Sequence, residues 1–139
     1  MLGYPHHLDL TVRNLDKSVA FYDTVLSRLG YGRTQAYAGS APCWAFRDKS
    51  GHFSIALHEA RSDAAHDRYT AGLHHFAFHA SSRTEVDELF EYLQQNGVEI
   101  LDPPSEYDYT EGYYAVFFAD PDGVKLEVVY EPVPEVPAN

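Results

Sequence analysis

Two histidines and one glutamate carry the chemistry most readily recognised in this sequence. His7 and His75 each lie at the start of an alternating polar and apolar stretch, and Glu127 lies in another such stretch near the C-terminus. Neutral imidazole nitrogens and carboxylate oxygens are ligands of divalent transition metals. A site made of two His and one carboxylate also leaves coordination positions open for a substrate. The pattern predicts a metal centre with His7, His75 and Glu127 as ligands.

An internal repeat accounts for the matching positions of the two histidines. Each half of the chain shows an alternating strand pattern, then a helix pattern that ends at a glycine, then three further strand patterns. Asp16 is predicted to cap the first helix, and Ser82 with Glu85 forms a capping-box pair at the second. The predicted strands cover residues 6–12, 31–37, 43–47 and 53–59 in the first half, and 73–80, 98–101, 113–119 and 124–130 in the second.

The fold class follows from this repeat. We predict an α+β protein in which two βαβββ repeats, about 5–60 and about 72–131, form a curved, barrel-like mixed sheet with helices outside. A single domain is expected over residues 1–139, because 139 residues match the usual size of one domain. The proline-containing tail, 132–139, is expected to be loose. The inward faces of the strands would enclose a cleft that holds the predicted ligands.

Composition and charge exclude several classes of partner. The formal net charge is −11, and residues 72–139 carry 2 Lys or Arg against 14 Asp or Glu. Such a chain would be repelled by nucleic acid and by anionic membrane surfaces, so neither is an expected partner. One cysteine, Cys43, permits no intrachain disulfide, and the N-terminus lacks the pattern of a signal peptide. We expect a cytoplasmic protein whose partner is a small-molecule substrate.

Three stretches of the sequence resemble the vicinal oxygen chelate superfamily. This superfamily includes glyoxalase I, extradiol dioxygenases, thiol-transfer fosfomycin-resistance enzymes and bleomycin-binding proteins. The resemblance implies one divalent metal ion (Fe, Mn, Ni, Co or Zn), ligands at His7, His75 and Glu127, and a homodimer. The matching stretches are HLDLTVRNLDKSVAFYDTVLSRLGY at 7–31, GLHHFAFHA at 72–80 and FFADPDGVKLEVV at 117–129.

The sequence departs from the patterns of individual members. The position of the fourth ligand in glyoxalase I corresponds to Ala56, which cannot bind a metal. The tyrosine of the extradiol signature corresponds to Phe117, and the threonine of the fosfomycin enzymes corresponds to Asp9. The bleomycin-binding proteins lack the metal ligands that this chain retains. The resemblance therefore implies the superfamily without implying one of its reactions.

Further candidates surround the predicted metal ligands. His79 lies on the strand face of His75 and is a candidate acid–base group, while Asp9 and Thr11 are candidate substrate-binding residues near His7. A hydrogen-bonded polar pair lining a wet cleft is the alternative for His79 and Asp9. The tyrosine-rich segment, residues 106–114, is a candidate substrate-binding lid. Alternatively, it is a loop whose aromatic rings cover the end of the barrel or a dimer contact. Its candidate substrate-binding residues are Tyr107, Tyr109, Tyr113 and Tyr114.

These features together predict a metal-dependent enzyme. The metal would act as a Lewis acid on a small oxygenated substrate, in a proton transfer of the lyase or isomerase type. The resemblance implies that Glu127 serves as the catalytic base. One alternative is a non-catalytic protein that binds a cationic aromatic drug in an acidic, Tyr-lined cleft. The other is an Fe(II) dioxygenase of the extradiol type, which the open three-ligand site favours and Phe117 opposes.

Overall fold

The computed structural model describes residues 2–35, 39–49 and 51–132, which divide between two compact units, Met1–Ala65 and His66–Asn139. Each unit contains a strand, a helix and three further strands, which confirms the α+β class and the two βαβββ repeats. The predicted loose tail lies outside the described residues from residue 133 onward. The single domain and the homodimer stay predictions.

The helices and strands follow the order predicted from the repeat. The first unit contains β1 (His7–Val12), α1 (Leu15–Arg28), β2 (Gly32–Thr34), β3 (Cys43–Asp48) and β4 (Gly51–Glu59). The second unit contains β5 (His75–His79), α2 (Arg83–Gln95), β6 (Glu99–Glu106), β7 (Tyr114–Ala119) and β8 (Lys125–Tyr130). The predicted strand at 31–37 is shorter than expected, and its positions 36–38 lie outside the described residues.

Each unit has one four-stranded mixed sheet of the same design. The strand order is β1-β4-β3-β2 in the first and β5-β8-β7-β6 in the second. The first strand of each repeat pairs in parallel with the last strand, and the remaining pairs are antiparallel. Since side chains alternate between the two faces of a strand, one face of each sheet can pack on a helix while the other carries polar groups.

Local hydrogen bonds fix the ends of both helices. The prediction that Asp16 caps α1 is wrong, because the Asn14 side chain already accepts a hydrogen bond from the Lys17 amide at 2.9 Å. Asp16 lies instead in the first turn, where its negative charge interacts favourably with the helix dipole. Ser82 caps α2 as predicted, by accepting a hydrogen bond from the Glu85 amide at 3.1 Å.

Both helices end in the same glycine turn. In α2 the Gly97 amide donates to Gln94 and the Val98 amide donates to Leu93, which is the Schellman pattern. Gly97 has φ +69°, a left-handed conformation that an L side chain rarely adopts. Gly30 ends α1 in the same way, with φ +89°. The predicted ends of both helices are therefore confirmed.

The strand predicted at 98–101 is longer than expected and continues through Pro103 and Pro104. β6 runs from Glu99 to Glu106 and contains both prolines, with register shifts on either side of Asp102. This is possible because β6 is an edge strand, so its outward amide groups need no partner in the sheet. In the described ranges, no helix is long and apolar enough to cross a membrane.

Candidate active site

A histidine and a buried glutamate meet on one face of the second sheet. In the β5–β8 pairing, His75 lies opposite Lys125, and Ala77 lies opposite Glu127. The His75 Nε2 atom lies 3.2 Å from Glu127 Oε2. The Glu127 side chain is only 1% exposed, whereas that of His75 is 37% exposed. Two of the three predicted metal ligands therefore lie side by side.

Tyr113 completes the surroundings of the buried carboxylate. Its hydroxyl donates a hydrogen bond to Glu127 Oε1, so the two carboxylate oxygens face different partners. Burial, reinforced by this hydrogen bond, raises the pKa of Tyr113 well above the usual tyrosine value. At neutral pH the phenol therefore stays protonated and acts as a donor, which leaves Oε2 to face His75.

His74 contacts the other nitrogen of the His75 ring. The two Nδ1 atoms lie 2.7 Å apart, so one of them must carry a proton and donate it to the other. When His75 is the donor, its Nε2 has a free lone pair that a metal ion could bind, and this atom lies 3.2 Å from Glu127 Oε2. His6 and His7 form the same contact at the start of the first repeat, with their Nδ1 atoms 2.8 Å apart. Such contacts orient an imidazole for metal binding.

Aromatic rings of the tyrosine-rich segment lie beside Glu127. Tyr107 stacks on Tyr109 with ring centroids 5.4 Å apart, and Tyr113 stands perpendicular to Tyr109 at 5.1 Å. The edge of Tyr107 also meets Phe117, which is buried. The Tyr109 ring is 66% exposed, so it offers an open aromatic face near the buried carboxylate.

The structure separates Tyr114 from the other three predicted tyrosines. Its hydroxyl donates to Asp87 of α2 at 2.6 Å, and the Arg83 guanidinium lies 4.9 Å from its ring centroid. Successive residues of a strand point to opposite faces, and α2 covers the face away from Glu127. His79 is exposed at the end of β5, opposite Val129 in the register.

A second polar pair occupies the corresponding face of the first sheet. Asp9 Oδ2 lies 2.8 Å from His58 Nε2, and both side chains are about half exposed. The register places Thr11 opposite His58 and Ser54 opposite His7. Sequence reasoning missed His58, although it lies two residues beyond Ala56 and therefore on the same strand face.

Ala56 occupies the place in the first repeat that Glu127 holds in the second. It lies opposite Asp9, just as Glu127 lies opposite Ala77, and in both repeats the paired residue is two positions after the first histidine of its strand. The register of β4 with β1 runs without interruption from Ser54 to Glu59. The first repeat therefore offers a methyl group where the second offers a carboxylate.

The predicted metal triad draws on both units. His7 belongs to the first unit, while His75 and Glu127 belong to the second. Within either unit, the described residues contain no group of three or more His, Cys, Asp or Glu arranged to hold a metal ion. The three-ligand centre therefore stays a prediction.

The contact between Tyr113 and Glu127 leads to a testable effect. Replacing Tyr113 with Phe is expected to lower the free energy of unfolding by about 1–3 kcal/mol, because a buried carboxylate oxygen loses its partner. A tyrosine whose folded pKa is raised stabilises the protein below its unfolded pKa of about 10 and loses that contribution as pH rises further. Above that pH the wild type should therefore lose more stability than Tyr113→Phe. Urea unfolding followed by circular dichroism at pH 7 and above pH 10 measures both effects.

Tyr109→Phe is the matched control, because its ring is mostly exposed. Equal stability of the two variants at neutral pH would show that the Tyr113 hydroxyl does not support the buried carboxylate.

Three known proteins are similar to this chain over most of its length. YqjT, an uncharacterised protein of Bacillus subtilis (strain 168), is 34% identical over 128 residues, covering 89% of this chain and 96% of that protein. The metallothiol transferase FosB of Shouchella clausii (strain KSM-K16) is 29% identical, covering 92% of this chain and 80% of that protein. A 2-epi-5-epi-valiolone epimerase of Actinomyces sp. is 32% identical, covering 91% and 79% respectively.

A solved structure shows the same fold. The structure of a candidate glyoxalase from Bacillus halodurans matches with a TM-score of 0.72 and 32% identity, covering 92% of this chain and 96% of that one. A family model also matches residues 4–128, which is most of the chain. The chain therefore belongs to the Glyoxalase/Bleomycin resistance protein/Dioxygenase superfamily, as its resemblance to the vicinal oxygen chelate proteins predicted.

Proposed function

We propose that the protein is a metal-dependent enzyme that transfers a proton on a small oxygenated substrate, in a reaction of the lyase or isomerase type. The observation that carries this proposal is the buried Glu127 carboxylate, held between the Tyr113 hydroxyl and the His75 imidazole. A relative named as a metallothiol transferase supports a metal in this proposal, and another named as an epimerase supports a reaction of the isomerase type.

The donor atoms of His75 and Glu127 fit a divalent metal. An imidazole nitrogen and a carboxylate oxygen that each bind one ion at about 2.0–2.2 Å are themselves about 3–3.5 Å apart. The observed separation between His75 Nε2 and Glu127 Oε2 is 3.2 Å. We propose that His75, Glu127 and the repeat counterpart His7 hold the metal. When bound, the ion supplies a Lewis acid for the substrate oxygens.

The residues around Glu127 determine which group acts as the base. Tyr113 donates to Oε1 and stays protonated at neutral pH because its pKa is raised by burial and by the carboxylate. The phenol therefore does not compete as a base, and the Glu127 carboxylate is the group that accepts a proton from the substrate or returns it. Oε2 would do so only while it is not bound to the metal. The contact with His74 holds the His75 ring in place beside this oxygen.

Removing the charge of Glu127 tests the proposed proton transfer. Glu127→Gln keeps the shape of the side chain and its contact with Tyr113, but it cannot accept the proton. Incorporation of solvent deuterium into a panel of 2-oxo and 2-hydroxy compounds, followed by NMR, should fall by at least about 100-fold, the usual contribution of a general acid–base group. Metal analysis of the protein as isolated should find a divalent ion in the wild type.

Glu99→Gln is the control, because Glu99 is an exposed carboxylate on β6 of the same sheet. It should exchange deuterium as the wild type does. Exchange that survives in Glu127→Gln, or a wild type that neither contains nor takes up a divalent metal, would contradict the proposal.

The exposed ring of Tyr109 favours a second candidate function. Stacked on Tyr107 within an acidic unit, this ring is suited to a cationic aromatic ligand. In a non-catalytic binding protein, Tyr109→Ala would weaken the binding of such a compound, and His75→Ala would leave it unchanged. Calorimetric titration of both variants with a cationic aromatic dye distinguishes this candidate from the enzyme.

A further inference from the structure

The second half of the chain contains few positively charged residues. Among residues 72–139, the Lys and Arg residues are Arg83 and Lys125, against 14 Asp and Glu. The Arg83 guanidinium forms an ion pair with Glu106 and lies over the Tyr114 ring, near α2. Arg68 of the same unit donates to the Gly123 carbonyl at 3.1 Å. Among the described residues of this unit, Lys125 is therefore the Lys or Arg whose charge has no polar partner.

Lys125 lies on the sheet face that carries the candidate active site. It is the direct cross-strand partner of His75, and it precedes Glu127 by two positions on the same face of β8. The ammonium Nζ atom lies 4.3 Å from the centroid of the Phe117 ring, and the His75 ring contacts the same phenylalanine at 6.3 Å. Lys125, His75 and Phe117 thus surround one small area of the sheet.

The ammonium group is held there by an aromatic ring. Within residues 2–35, 39–49 and 51–132, the ion pairs of the structure leave Lys125 without a carboxylate partner. A cation over the face of a buried ring has lost part of its water shell. Its attraction for an anion is therefore stronger than that of a lysine in bulk water.

We propose that Lys125 binds a carboxylate group of the substrate, so that the enzyme acts on small 2-oxo or 2-hydroxy acids. This inference rests on the proposed function, because it places the substrate on the face of His75 and Glu127. One ammonium balances one negative charge, and the many acidic residues of this unit oppose a more highly charged ligand. The oxo or hydroxy oxygen beside the carboxylate would then lie toward His75 and Glu127.

A matched pair of ligands tests this assignment by binding alone. Benzoylformate and benzoylformamide have the same carbon skeleton and an aromatic ring, but only the first carries a carboxylate. We expect calorimetric titration of the wild type to show at least about tenfold tighter binding of benzoylformate. The reason is that a charge-assisted hydrogen bond between the ammonium and the carboxylate contributes about this much to the affinity. Lys125→Met should remove this preference, and Lys125→Arg should retain it.

Lys17→Met is the control, because it removes the same charge from an exposed position on α1. It should leave the preference unchanged. Titrations before and after treatment with a chelator separate the contribution of Lys125 from that of any bound metal. A wild type that binds the two compounds equally or binds neither, or a preference that persists in Lys125→Met, would overturn the inference.

Failure of this inference is distinguishable from failure of the proposed function. A preference for benzoylformate that depends on Lys125, in a protein without deuterium exchange, would support the carboxylate site and contradict proton transfer. Deuterium exchange that depends on Glu127, in a protein without the carboxylate preference, would support proton transfer and overturn the role of Lys125.

Discussion

Replacement of His75 with Ala is expected to remove the bound divalent metal while the fold remains intact. Loss of a group that merely orients a metal ligand weakens metal binding by about 10–100-fold, and loss of the ligand itself should weaken it by more than about 100-fold. The side chain of His75 is 37% exposed, so its removal creates little empty volume in the core. Elemental analysis and metal titration measure the binding, and circular dichroism monitors the fold.

His74→Ala is the informative control for this result. Its Nδ1 contact orients the His75 ring, so metal binding should weaken by about 10–100-fold rather than vanish. His79→Ala, at the other end of β5, should retain the metal. Metal affinity that is unchanged in His75→Ala would show that this residue is not a ligand.

Trp44→Ala is expected to cause the largest loss of stability, about 3–5 kcal/mol in the free energy of unfolding. The Trp44 ring is 1% exposed, and it packs against Tyr22 of α1 with ring centroids 6.2 Å apart. Its indole nitrogen also donates to Asp23 Oδ1 at 2.7 Å. Because the chain has one tryptophan, urea unfolding must be followed by circular dichroism rather than by tryptophan fluorescence.

Two controls on the same strand separate the causes of this effect. Trp44→Phe keeps an aromatic ring in the core and removes the donor to Asp23. It should therefore lower the free energy of unfolding by less than Trp44→Ala does. Phe46→Ala removes a ring that is 39% exposed and should cost clearly less again. A Trp44→Ala protein that is as stable as Phe46→Ala would show that β3 and α1 are not joined by this packing.

The sequence predicts the order of elements well because the determining signals are local. Alternation within a strand and glycine after a helix depend on neighbouring residues, and both repeats follow them at Gly30 and Gly97. The errors arise where two neighbouring residues could both cap a helix, or where the place of a strand in its sheet determines how far the strand extends. Asn14 caps α1 in place of Asp16, and Pro103 lies within β6 because that strand is at the edge of its sheet.

The candidate site is predicted less completely, because contacts between strands depend on register. Alternation and family resemblance single out His75 and Glu127, and the structure places them side by side. The hydrogen bond from Tyr113 to Glu127 joins a loop to a strand, so no periodic pattern in the sequence predicts it. The position of Lys125 opposite His75 likewise becomes visible only when β5 and β8 are paired.

The prolines of β6 also affect how the folded molecule behaves toward its own copies. An edge strand with free amide groups can recruit a strand from another molecule and begin a fibril. Pro103 and Pro104 have no amide hydrogen, and the register of this strand with β7 shifts on either side of Asp102, which interrupts the regular ladder. An incoming strand would find a broken row of donors there. β6 is therefore a poor template for intermolecular strand addition, and a substitution that restores both amides would be expected to favour aggregation.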